Sequence, residues 1–169
     1  MPLDEHEVDP DPLRQVQQWY DAAVLAGVRQ PDAMTLATST RDGGVSARMV
    51  LLRGIDGDGL VFFTNYESRK GRELDENPRA ALVLHWREQE RQVRVEGTVA
   101  HTTAERSDAY FAARPFGSRV SAYVSPQSDV VADRAQLERA AADAATRFAD
   151  GVVPRPTQWG GYVVRPDVV

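Results

Sequence analysis

The 169-residue chain is 42% hydrophobic and 27% charged, contains no cysteine and carries a formal net charge of −5. That balance suits one globular domain over residues 1–169, and it excludes a disulfide framework and thiolate chemistry. It also argues against nucleic acid as a partner, because phosphate-backbone affinity needs a basic face.

No apolar run reaches the roughly 18 residues that span a bilayer, and the chain opens on Asp4, Glu5 and Glu7 instead of a basic leader. A cytoplasmic protein with no membrane partner is the expectation. The histidines His6, His85 and His101 show no metal-ligand spacing.

Residues 1–12 read as a loose acidic arm. An amphipathic helix follows from Pro12 to Gly27, with Leu13, Val16, Trp19, Tyr20 and Val24 as its apolar stripe. Ala33–Ser39 reads as a buried strand that turns at Asp42-Gly43 into Val45–Arg53, and glycines 54, 57 and 59 lead on into Leu60–Thr64. Three such strands in succession predict a meander.

A helix opens at Ser68 and stops near Asn77-Pro78. Ala80–Trp86 and Arg91–Ala100 form a further hairpin, in which Gln92, Arg94 and Glu96 alternate with Val93 and Val95 to give one polar face. Thr102-Thr103-Ala104-Glu105 predicts a capping box for a helix through Ala113. A short helix over Gly117–Tyr123 and the longest helical run, alanine-rich Asp133–Phe148, precede a last strand, Trp159–Arg165. Short strands joined mostly by hairpins, with helices inserted, predict an α+β fold on an antiparallel β-barrel with peripheral helices.

The start of the Ser68 helix is unusual. Its first turn carries Arg69 and Lys70 where the positive end of the helix dipole favours Asp or Glu. A bound phosphate would resolve the conflict, receiving backbone N–H groups, the Ser68 hydroxyl and both cations. A solvated basic turn is the alternative. No nucleophile stands beside a general base, and no Walker or dinucleotide fingerprint occurs. Phosphate-holding side chains without catalytic acids or bases point to a cofactor that does the chemistry.

Several segments together resemble the pyridoxamine 5′-phosphate oxidase family: Arg48 to Arg53, Phe63 to Gly71, Asn77-Pro78, Arg91 to Gly97, Tyr110-Phe111 with Arg114-Pro115, Ser125 to Ser128, and Trp159 to Tyr162. They occur in the family's order from about Asp11 onward. The resemblance implies an FMN-binding split barrel that forms a homodimer with the flavin at the subunit interface. It further implies flavin contacts from Arg48, Met49, Val50, Leu51, Leu52, Phe63, Thr64, Ser68, Gln92, Gln127 and Ser128, with Arg69 and Lys70 on the FMN phosphate. Phe63 stands where some relatives have tyrosine. The substrate phosphate would fall to Arg53, Tyr110, Arg114 and Ser118, and arginine at position 53 replaces a common lysine, which changes donor geometry.

Family members typically continue beyond the position of Val169 into a tryptophan-bearing strand and an Arg-Leu-His-Asp-Arg segment, and some have an Arg-and-Tyr lid before the barrel. Neither has a match here. The expectation is either a shortened chain or flavin binding retained with altered substrate use. The leading activity implied is oxidation of pyridoxine or pyridoxamine 5′-phosphate to pyridoxal 5′-phosphate with O2. A split-barrel flavin oxidoreductase with another substrate, or a non-catalytic FMN-binding protein, are the alternatives.

Overall fold

A computed structural model describes residue 6 and residues 8–169. Of the acidic arm expected over 1–12, residues 1–5 and 7 lie outside the described residues, while Asp9 and Asp11 are fastened to the first helix. Asp9 pairs with Arg14 at 3.0 Å, and the Asp11 side chain caps the helix by accepting from the Leu13 and Arg14 amides. That helix, α1 (Pro12–Leu25), has proline in its first turn, where no amide partner is lost.

The strands are β1 (Ala33–Ser39), β2 (Val45–Leu51), β3 (Gly54–Asp56), β4 (Gly59–Asn65), β5 (Arg79–Trp86), β6 (Arg91–His101) and β7 (Trp159–Val168). The helix α2 (Arg69–Glu76) is inserted between β4 and β5, and α3 (Ala104–Ala113), α4 (Phe116–Val124) and α5 (Arg134–Arg147) between β6 and β7. Among the described residues the strands form one antiparallel sheet in the order β2-β1-β5-β6-β7-β4-β3. The sheet curls into the split barrel anticipated from sequence.

The meander needs correction. β4 does not pair with Val45–Leu51; it pairs with β7 along Leu60↔Val164 to Asn65↔Trp159, and on its other side with β3, Gly54–Asp56. The chain bends at Leu52-Arg53, so a strand that pairs with β1 in its first half turns to pair with β4 in its second. The Arg53 amide donates to the Val61 carbonyl at 2.7 Å and draws the two ends of the sheet together. The capping box also needs correction: Thr103, not Thr102, caps α3 by accepting from the Arg106 amide, which puts Arg106 where a box needs Glu or Gln. The Thr102 hydroxyl instead meets Ser107 Oγ at 3.1 Å.

The barrel interior holds Leu36, Phe62, Leu82, Leu84, Trp86, Val95, Tyr162 and Val164, closed on one side by Val16 and Ala23 of α1. A second apolar cluster (Phe111, Val120, Ala144, Phe148, Val153 and Trp159) joins α3, α4 and α5 to the start of β7. No helix among the described residues is long and apolar enough to cross a membrane.

The turn into α2 is fixed by contact at short range. A Cβ on Gly71 would lie 1.8 Å from the Tyr66 carbonyl oxygen, so this position admits no side chain while the turn keeps its path. Gly71→Ala is expected to lower stability by about 2 kcal/mol through overpacking, a change that thermal melting would register.

Candidate functional site

A cavity of about 420 Å³ opens where the bend after β2, the end of β4, the start of α2 and the α3–α4 junction meet. From the flavin-contact residues expected from sequence it gathers Met49, Val50, Leu51, Phe63, Thr64, Lys70 and Gln127. From the expected substrate contacts it gathers Arg53, Tyr110, Arg114 and Ser118. Two lining residues, Pro115 and Trp159, were not among those expected. Both sit inside segments that carry the resemblance, which was the available signal.

Lys70 is the buried cation among the three that line this site, with Arg53 and Arg114. Only 7% of it is exposed, and its ammonium donates to Gln127 Oε1 at 2.8 Å and to Thr64 Oγ1 and Ser68 Oγ at 3.2 Å. Burial, helped by the like charge of Arg48 and opposed by Glu73, lowers its pKa to about 8. Ser68 is fully buried and caps α2; its hydroxyl donates to the Asn65 carbonyl and accepts from the Gly71 amide. It supports Lys70 from behind the lining.

Arg69 and Arg48 turn elsewhere, toward the buried carboxylate of Glu73. Arg69 Nε meets Glu73 Oε1 at 2.8 Å, one helical turn along, with its side chain 63% exposed. Arg48 Nη2 meets Glu73 Oε2 at 3.0 Å, and Thr38 and Ser46 also donate to that oxygen. Burial pushes the Glu73 carboxyl up, but these hydrogen bonds outweigh it and hold its pKa at about 2. Sequence reasoning missed Glu73, because one glutamate on a polar helix carries no local sign that strand hydroxyls reach it.

The remaining expected contacts lie outside the cavity. Leu52 is a core residue, and Ser128 is exposed with a left-handed φ of 75°. Gln92 projects from the outer face of β6 into a separate groove beside α1.

One cavity wall is aromatic. The Phe63 ring lies 4.0 Å from Tyr110 and 5.6 Å from Trp159, all within 11° of parallel. Gly161, opposite Phe63 in the β4–β7 register, leaves room for that ring, since a Cβ there would lie 2.7 Å from it. The Arg114 guanidinium sits 4.7 Å over the Trp159 ring, and its buried Nη1 has no hydrogen-bond partner among the described residues. Burial holds Arg114 below arginine's ordinary value; Tyr110 acts against this and the charge of Arg53 with it.

This arrangement suits a planar ligand bearing anionic groups. A buried ammonium stands at a helix start, an incompletely bonded guanidinium marks a second place for an anion, and an aromatic wall adjoins both. Fold and cavity together define a split barrel with a pocket for a planar, anionic ligand. The pyridoxamine 5′-phosphate oxidase sequence profile matches residues 20–148, and the chain belongs to that family.

The chain is 54% identical to a pyridoxine/pyridoxamine 5′-phosphate oxidase of Rubrobacter xylanophilus, covering 98% of this chain and 76% of that one. It is also 54% identical to the Cupriavidus metallidurans enzyme of the same name, covering 97% and 77%. Among solved structures, PhzG from Burkholderia lata in complex with tetrahydrophenazine-1-carboxylic acid superposes with a TM-score of 0.91 at 34% identity, over 98% of this chain and 82% of that one. An FMN-binding protein from Nostoc punctiforme shares the fold, with a TM-score of 0.72 at 15% identity, over 94% and 83%.

Proposed function

We propose that this protein is an FMN-dependent oxidase that converts pyridoxine or pyridoxamine 5′-phosphate to pyridoxal 5′-phosphate in vitamin B6 salvage, working in the cytoplasm as a homodimer of single-domain chains. One observation carries the reading: a buried cation, Lys70, and an incompletely bonded guanidinium, Arg114, share one cavity. The names of the relatives at 54% identity agree with it.

In this reading Lys70 receives the FMN phosphate with Ser68, Thr64 and Gln127 around it, and Arg69 adds its charge at the mouth of the helix start. Met49, Val50 and Leu51 flank the flavin, Leu52 and Arg48 brace that strand from beneath, and Ser128 follows Gln127 on its loop. Phe63 lies against the ligand's planar part. Gln92, on the outer sheet face, serves the flavin of the second copy. Arg53, Tyr110, Arg114 and Ser118 hold the substrate phosphate.

Bound FMN supplies a two-electron acceptor that O2 restores, with release of hydrogen peroxide. The chain's own contribution is orientation: cations at separate places fix the two phosphates and hold the substrate in register. A second reading is oxidation of a larger carboxylate. The PhzG structure with its tricyclic acid favours this, and a guanidinium binds carboxylate as well as phosphate.

The test mixes FMN-loaded protein with pyridoxine 5′-phosphate or pyridoxamine 5′-phosphate without oxygen and follows flavin absorbance. Bleaching that air reverses is the expected result. A bound flavin that neither vitamer bleaches would overturn the B6 assignment.

A further inference from the structure

Arg53 follows the bend that ends β2, and its side chain lines the cavity. Its Nη1 donates to Asp32 Oδ2 at 2.5 Å and to the Leu52 carbonyl at 3.3 Å. The side chains of the ion pair are 28% and 20% exposed, while Arg53 as a whole residue lies at the surface. Asp32 is itself set firmly. Its carbonyl accepts from the Leu52 amide at 2.8 Å, and the preceding Pro31 carbonyl accepts from the Trp86 indole at 2.9 Å. Asp32 is not among the residues that line the cavity.

These contacts consume one nitrogen of the guanidinium and leave Nε and Nη2 without a protein partner among the described residues. A lysine would offer all its donors from one nitrogen already held at the carboxylate, whereas the planar fork of arginine spreads its donors over separate edges that can face two partners in different directions. Asp32 also offsets the repulsion between two like charges, Arg53 and Arg114, that face one cavity.

We infer that Asp32 is a positioning residue: it clamps the Arg53 guanidinium so that its free edge reads the anionic group of the substrate opposite Arg114. This rests on the reading of the cavity as the substrate-phosphate site. Asp32 thus acts on selection of the anionic end of the substrate, through Arg53, and leaves the flavin site alone.

The test uses FMN-loaded protein and calorimetric titration with pyridoxal 5′-phosphate and with pyridoxal, which lacks the phosphate. Asp32→Asn, near-identical in shape, is expected to weaken pyridoxal 5′-phosphate binding roughly fivefold. Pyridoxal binding and FMN content stay as in the unaltered protein, Asp32→Glu recovers most of the loss, and in an Arg53→Ala background the Asp32→Asn change adds nothing. Unchanged binding, an equal loss for pyridoxal, or the same loss without Arg53 would each overturn the inference while the site reading stands. If the unaltered FMN-loaded protein fails to bind pyridoxal 5′-phosphate, the site reading and this inference fall together.

Discussion

Lys70→Met is expected to weaken FMN binding about a hundredfold while the flavin-free protein melts no lower than before. A hydrogen bond between a buried ammonium and a phosphate is among the stronger single contacts available, and its loss is worth roughly 3 kcal/mol. The folded flavin-free protein gains nothing comparable from Lys70, since its pKa lies at about 8, below lysine's ordinary 10.5. Below pH 8 the buried charge costs stability. Between about 8 and 10.5 the folded chain has released that proton and the unfolded chain has not, so stability rises with pH across this interval.

Anion binding runs the opposite way, because phosphate favours the charged lysine. FMN affinity should therefore fall as pH climbs through about 8, and in Lys70→Met this dependence should vanish. Flavin-fluorescence titrations at pH 7 and pH 9.5, with melting curves of both flavin-free proteins, measure every part of the prediction. A variant with normal FMN affinity would remove Lys70 from the anchor. Arg69→Ala is expected to cost less than tenfold, because that side chain is mostly solvated and already leans on Glu73.

Glu73→Ala should act on the fold. The carboxylate is 4% exposed and ties β1, β2 and α2 together through Thr38, Ser46 and Arg48. Removing it strands a largely covered guanidinium and two hydroxyls, at a cost of about 3 kcal/mol, or about 10 °C in melting temperature for a chain of this size. Glu73→Gln keeps an acceptor and should fall between. The pKa of about 2 lies below the ordinary 4.5, so the stabilisation is complete above about pH 4.5 and is lost as pH falls from there toward 2. Denaturant unfolding followed by circular dichroism at pH 7 and pH 3 would show the two proteins converging in acid. A constant gap between them would contradict this account.

Local signals read well in this chain. Ala33–Ser39 has the strand bounds its pattern implies, Ser68 caps α2, and Gln92, Arg94 and Glu96 occupy an exposed face. Pairing at long range was not legible. Asp-Gly and its neighbours mark where strands turn back, but nothing near Leu60 announces that its neighbour is Val164. The same limit applied to the site. Arg69 and Lys70 look alike as adjacent cations, yet the turn of a helix sends one out along the surface to Glu73 and the other inward under Gln127. Which cation faces the cavity depends on what packs above it, and that is tertiary information.

The pairing of β4 with β7 also orders events in time. Thr64 and Phe63 meet Gly160 and Gly161 across about a hundred residues of intervening chain, and Trp159 completes the cavity wall from the same strand. Contacts so distant in sequence form slowly, after the loops between them have closed. A partly folded chain without β7 has a helix start and a lysine but no enclosed cavity. The onset of flavin quenching in a refolding experiment is therefore a clock for the last step of assembly.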